Sequence, residues 1–269
     1  ALFVVAELRS RNPYIEVYHF RSFNFSLSNL IIFFRVIGFR GSNFMISLFL
    51  QRGLNYSPLQ AGIFLLPGAA LTGIVSPVAG ILSDRLSPRV PLILGLVILI
   101  FTLYGLSTIT LWTSIAGIFF LIAVKSVGQS MMNAPLNTVA LGALPEDKVR
   151  MGSGIIGLSR GLGASFAIAI LSFLLEKQTF LNLDSMTPLQ GAHLAETGRY
   201  QVLAQIHGML LHAGEYGIAL ENKAQALLGY SLLQEATIHA YQELFLLIAA
   251  VYVVMILLVL FLRLNRRGV

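Results

Sequence analysis

Six apolar stretches dominate this chain, at residues 25–50, 58–82, 91–109, 113–144, 151–175 and 241–262. Each is 19–32 residues long, with few or no charges. A helix needs about 20 such residues to cross the roughly 30 Å hydrocarbon core of a bilayer. The composition agrees: of 269 residues, 56% are hydrophobic and 11% charged. An average soluble domain is about 25% charged, so the charges that would cover a soluble surface are missing. The same figures exclude a disordered chain, collagen and a coiled coil. With no cysteine, there is no disulfide, thiolate metal site or cysteine nucleophile. The expected fold class is an all-α polytopic membrane protein.

The apolar run at residues 1–6 is too short to span a bilayer and reads as the end of a preceding helix. Residues 1–24 then hold that helix end and a cytoplasmic segment, and residues 25–175 hold five transmembrane helices. Residues 176–240 form an extracytoplasmic helical hairpin, and 241–269 the last transmembrane helix with a cytoplasmic tail. The orientation follows from Lys and Arg, which concentrate on the cytoplasmic side. Arg9, Arg11 and Arg21, then Arg85 and Arg89, Lys148 and Arg150, and Arg263, Arg266 and Arg267 fall on one side. The short linkers opposite carry only Arg52.

The segment 176–240 is different material. It holds Glu196, Glu215, Glu221 and Glu235 and four of the five histidines. Leu203, Ile206, Leu210 and Leu211, then Ala224, Leu227, Leu228 and Leu232, recur at helical spacing. One or two amphipathic helices outside the bilayer are expected, packing on each other or docking a partner.

Inside the spans, Arg35, Arg40, Lys125 and Arg160 stand without an acid at similar depth. At about 1.5 Å per residue, Arg35, Lys125 and Arg160 lie roughly 14–18 Å from a span end. A charge at that depth costs at least about 2.5–3.5 kcal/mol, so it faces a wet cavity or a partner. Arg40 is near enough to a span end to snorkel. Gln129, Asn133 and Asn137 continue an i+4 ladder from Lys125, a polar stripe that suggests a cavity wall. These seven residues are the candidate transport pathway. In the fifth span, Ser153, Gly157, Gly161, Ser165 and Ala169 form an i+4 stripe of small residues, which marks close helix packing in lipid. Ala69 with Gly73, Ser76 with Gly80, and Pro67 and Pro77 suggest a closely packed, bent second span, and Pro135 a kink or end in the fourth.

Other signals fail on context. Gly157-Leu158-Ser159-Arg160-Gly161 has the spelling of a nucleophile elbow but lies mid-helix, without the required strand or acid. His207 and His212 are five apart and point to different helix faces, so no metal site is expected. No cofactor and no nucleic acid are expected, and Asn55-Tyr56-Ser57 reads as a chance glycosylation match.

Several stretches carry a resemblance. Gly80-Ile81-Leu82-Ser83-Asp84-Arg85-Leu86-Ser87-Pro88-Arg89 resembles the G-x-L-[AS]-D-R-x-G-x-[RK] signature of the major facilitator superfamily, with Ser87 at the usual glycine. Leu54-Asn55-Tyr56-Ser57-Pro58-Leu59-Gln60-Ala61-Gly62, with Leu65-Leu66-Pro67-Gly68, is similar to EmrB/QacA-type drug exporters. So are Gly152-Ser153-Gly154 with Arg160-Gly161-Leu162-Gly163, and Lys125 to Gly128 with Pro135-Leu136-Asn137. The resemblance implies a fourteen-helix drug:proton antiporter of which these spans are the C-terminal six-helix bundle. It implies lipophilic drug-like substrates and protons, and a bacterial inner membrane with the C-terminus cytoplasmic. A long outer hairpin implies a periplasmic adaptor and an outer-membrane channel as partners. Gly80, Ser83, Asp84, Arg85 and Arg89 would form a cytoplasmic gating latch, with Asp84 accepting from a helix N-terminus or an Arg.

The function expected is proton-coupled multidrug efflux by alternating access, not enzymatic catalysis. The alternatives are export of an endogenous amphipathic anion, lipid or siderophore, or a membrane scaffold that binds an adaptor. No carboxylate is expected in the pathway, so the proton-carrying acid is assigned to the missing N-terminal half. The net charge of +6 also divides. Four of the 18 basic residues lie in spans, leaving 14 against 12 acidic ones, a difference of +2.

Overall fold

The computed structural model describes residues 22–110, 112–186, 193–212, 214 and 216–262. Seven long helices occur among them: α1 Phe23–Leu48, α2 Pro58–Arg85, α3 Arg89–Ser107, α4 Ile115–Gly142, α5 Val149–Met186, α6 His193–His212 and α7 Gly217–Phe261. All but α6 are long and apolar enough to cross a membrane. The run at residues 1–6 and Arg9, Arg11, Arg21, Glu215, Arg263, Arg266 and Arg267 lie outside the described residues.

The six spans form two layers. In the front row α2 packs on α4, α4 touches α1, and α1 packs on α5. Behind it, α3 packs on α4 and α7, and α7 on α5 and α1. The α3 sequence shows why it sits there. Leu92, Leu96, Leu99, Leu103 and Leu106 recur every three or four residues and are buried, while Val97, Phe101 and Tyr104 remain exposed on the other face. Gly95 and Gly128 permit the α3–α4 crossing. A β-carbon at Gly95 would lie 2.6 Å from the Gly128 carbonyl oxygen, and one at Gly128 would lie 2.9 Å from that of Gly95. Here backbones meet with no room for a side chain, which is how helices associate in lipid.

The helix starts and ends follow local chemistry. Ser57 and Gln60 form a reciprocal capping box at α2, with Pro58 in its first turn. A π-helical turn, Phe49–Gly53, extends α1 into the linker that follows it. Neither Pro67, Pro77 nor Pro135 ends its helix. Several hydroxyls inside spans bond back to their own helices, as Thr72 does to the Gly68 carbonyl at 2.9 Å.

The α5 stripe and the Ala69–Gly73 pair of α2 face away from the described neighbours. Ser153, Gly157, Gly161, Ser165 and Ala169 are all exposed, and no described side chain or neighbouring helix comes within 4 Å of a β-carbon built at Gly157 or Gly161. The α5–α1 contact uses the adjacent face instead, where a β-carbon at Gly163 would sit 3.0 Å from the Phe33 carbonyl oxygen. The i+4 spacing located a stripe but could not say which neighbour it meets. In α2, Ala69 and Gly73 are likewise exposed, and the contact with α4 runs through Gly68 beside Ser126 and through the Ser130 hydroxyl, which donates to the Thr72 carbonyl at 3.0 Å.

The hairpin is not a separate unit. The 38 residues of α5 and the 45 of α7 give lengths of about 57 and 67 Å, far beyond the roughly 30 Å hydrocarbon core. Both helices run straight through positions 175 and 240, where composition changes, and project past the membrane, with α6 packed on α7. Gln178 donates to Glu243 at 2.6 Å, and Asn182 to the Ala236 carbonyl at 3.5 Å, joining the projecting parts.

Candidate functional site

The polar groups inside the spans gather where α1, α4, α5 and α7 meet. Lys125 on α4 is 2% exposed. Its ammonium donates to the Ser42 hydroxyl at 3.0 Å and to Asn43 Oδ1, both on α1, and lies 5.8 Å from the Phe39 ring centroid. All of these partners are neutral. They take two of the three ammonium donors and do not offset its charge.

One helical turn further along α4, Gln129 is 3% exposed, and neither of its amide atoms has a partner among the described residues. Asn133 and Asn137 are half-buried, and Asn137 Oδ1 accepts from Arg160 Nη2 on α5. Arg160 Nε lacks a partner among the described residues. Arg35 on α1 is 5% exposed, in the neighbourhood of Tyr252 on α7 and of Arg160. Its Nε and the Tyr252 hydroxyl are buried without hydrogen bonds among the described residues. Tyr252 fits there because Gly38 leaves space for its ring. Arg40, five residues after Arg35, is exposed beside Phe39.

The fold thus joins Lys125 to α1, links Asn137 with Arg160, and brings Arg35 close to Arg160. It leaves Arg40 apart from them, on another face. Asn29, Ser42, Asn43 and Tyr252 are additional polar members. Asn29 accepts from the Ser159 hydroxyl at 3.1 Å, so that serine serves an α1–α5 link. All four are polar side chains in apolar spans, the same signal that singled out Gln129. Among the described residues, no cluster of three or more His, Cys, Asp or Glu could hold a metal ion.

At the opposite end from the hairpin, the α2–α3 turn carries Gly80, Ser83, Asp84, Arg85 and Arg89. Ser83 is buried, whereas Asp84 and Arg85 are exposed with no ion pair among the described residues. Arg89 does not pair with Asp84. Its guanidinium donates to the Leu262 carbonyl, and at 3.5 Å to that of Leu260, at the end of α7. A cation there satisfies orphan carbonyls and complements the helix dipole. Arg89→Gln is expected to cost about 1 kcal/mol and lower the thermal midpoint by a few degrees, checked by unfolding of the purified protein.

Two layers of membrane-length helices enclosing unpaired cations define a multi-pass membrane bundle of the kind found in transporters. Residues 5–168, more than half of the sequence, match the Major Facilitator Superfamily, and the chain belongs to that family. It is 32% identical over 182 residues to Multidrug resistance protein Stp of Mycobacterium tuberculosis, covering 65% of this chain and 32% of that protein. It is 31% identical over 175 residues to Lincomycin resistance protein LmrB of Listeria monocytogenes, covering 64% and 37%. With the Tetracenomycin C resistance and export protein of Streptomyces glaucescens it shares 26% identity over 226 residues, covering 79% and 41%. The chain therefore spans between about a third and two-fifths of the length of these relatives. A solved bacterial homologue of the human lysosomal transporter Spinster, inward-facing and unoccupied, superposes with a TM-score of 0.55 at 17% identity. That match covers 96% of this chain and 54% of the other, a likeness of fold.

Proposed function

We propose that this chain is the C-terminal six-helix bundle of a proton-coupled multidrug exporter that works by alternating access. The observation that carries the reading is the set Arg35, Lys125 and Arg160 deep in the spans, Lys125 and Arg160 on polar neutral partners and Arg35 without a hydrogen bond among the described residues. Holding charge in a bilayer is costly, and such residues mark substrate and ion pathways. The resistance functions named for Stp and LmrB support the multidrug class.

The two ends of the front row, α2 and α5, supply the surface for a second bundle. Only 11% of the most apolar window of α2 and 22% of that of α5 are buried, against 50% for α1 and α3. The open small-residue stripe of α5 and the open Ala69–Gly73 face of α2 then meet that bundle, and Asp84 and Arg85 form the gating latch with it. The proton-carrying acid lies there too, because among the described residues no carboxylate occupies the interior of a span. The proposed location is a bacterial inner membrane, with the C-terminus cytoplasmic and the hairpin facing a periplasmic adaptor and an outer-membrane channel.

The unpaired cations also favour a second reading, export of an amphipathic anion. One experiment serves both. Arg160→Ala in the complete transporter is expected to reduce proton-driven efflux about tenfold or more, the effect of losing one charged interaction. Efflux is measured with a cationic and an anionic dye. Loss confined to the anionic dye selects the second reading, and wild-type efflux of both removes Arg160 from the pathway.

A further inference from the structure

The hairpin helices α6 and α7 are joined by a contact whose chemistry depends on one proton. His207, near the end of α6, is half-buried, and both of its ring nitrogens have partners. Nδ1 lies 2.9 Å from the Leu203 carbonyl oxygen, one turn back on the same helix. Nε2 lies 3.0 Å from Glu221 Oε2 on α7. A carbonyl oxygen only accepts, and so does an ionised carboxylate. A neutral imidazole carries one N–H, so it serves one of these partners and turns a lone pair towards the other. The imidazolium serves both.

Glu221 is set up to receive that cation. Its Oε1 accepts from Gln225 Nε2 at 2.9 Å, which orients the carboxylate from its own helix. The hydrogen bonds from Gln225 and from His207 hold its carboxyl below the usual carboxylate range, so it stays ionised wherever an imidazole titrates. Among the described side chains, Glu221 is the charged group that meets His207 across the seam. Lys223 lies about 200° round α7 from Glu221, and His212 is exposed at the end of α6.

Little else holds α6. It packs on α7, and from residue 203 to 212 none of its described side chains is buried. On α7, Ala224 and Leu228 share the face of Glu221 at i+3 and i+7 and are buried. An element with so few buried apolar contacts sits at the low end of local stability. We propose that α6 is a pH-operated strap, clasped to α7 by the His207 imidazolium and loosened when that proton is lost. The protonated ring is the clasped form, so the strap is tightest in acid and loosens as pH rises through the imidazole range, about 6.5 for an unperturbed ring. On the orientation proposed above, it reads the pH of the extracytoplasmic side. The contact itself depends neither on that orientation nor on what the protein transports.

The test is hydrogen exchange of the full chain in nanodiscs at about pH 5.5 and about pH 8, either side of that value, with exchange times scaled for the intrinsic rate. A partly exposed pair is a weak one, so amides of residues 203–212 are expected to be about threefold more protected at the lower pH. His207→Gln and Glu221→Gln should each remove the difference. His207→Lys keeps a cation at both pH values and should remove it too. His212→Gln should behave as the wild type. Equal protection at both pH values in the wild type overturns the proposal, as does a difference that survives in any of the first three variants or disappears in His212→Gln. Protection around the buried Leu99 of α3 should not change with pH, and a change there of the same size would make the effect global and overturn the proposal.

Discussion

Replacing Lys125 with methionine is expected to leave the purified protein at least as thermostable as the wild type, while transport falls about tenfold or more. The two halves of that result have different causes. The ammonium is 2% exposed and rests on a hydroxyl, an amide and the edge of the Phe39 environment, with no carboxylate among its described contacts. Exchanging a buried charge for an apolar side chain of similar length removes a desolvation penalty, and such exchanges are often neutral or stabilising. A structural lysine would behave in the opposite way. If Lys125→Met lowers the thermal midpoint by several degrees and leaves efflux intact, the ammonium serves only to link α4 to α1. Thermal unfolding and dye efflux, measured on the same variant of the complete transporter, give the answer.

The second large effect concerns packing. Gly128→Leu is expected to disrupt the bundle, because even a β-carbon there would lie 2.9 Å from both the Gly95 carbonyl oxygen and a methyl carbon of Ile98. Overpacking a core position costs about 1–3 kcal/mol, and backbone cannot swing aside as a flexible side chain does. Gly157→Leu makes the comparison, since nothing described lies within 4 Å of a β-carbon at that position. In this chain alone, Gly157→Leu should leave the thermal midpoint unchanged within a degree or so, while Gly128→Leu should lower it sharply or prevent folding. Equal effects would mean that the α3–α4 crossing is not the close contact described here.

Much of this architecture was legible in the sequence because a bilayer imposes simple rules. Length and apolarity picked out six membrane-capable helices, four of them with both ends within a few residues of the observed ones, and the depth of Arg35, Lys125 and Arg160 singled out the polar interior. Other features had no local signal. The stripe Ser153 to Ala169 is more regular than the face α5 actually packs with, because small residues suit both a packed contact and an open surface. The continuation of α5 and α7 beyond the membrane was hidden since a helix need not stop where its composition turns polar. Arg89 gave no sign of reaching the end of α7, as its carbonyl partners are 171 and 173 residues away. Asn29, Ser42 and Asn43 were readable by the rule that found Gln129, but their partners on other helices were not.

The central claim is that α2 and α5 present their open faces to a second bundle and a wet path, whereas the outer faces of α3 and α7 meet lipid. The chain has no cysteine, so single cysteines report without background. The most direct measurement is labelling by a small, water-soluble thiol reagent in membranes holding the complete transporter, with cysteine introduced at Gly73, Gly161, Phe101 or Val254. Gly73→Cys and Gly161→Cys should react during transport and be protected by substrate, while Phe101→Cys and Val254→Cys should stay unlabelled. Labelling of the α3 and α7 positions, with the α2 and α5 positions inert in every condition, would contradict the account.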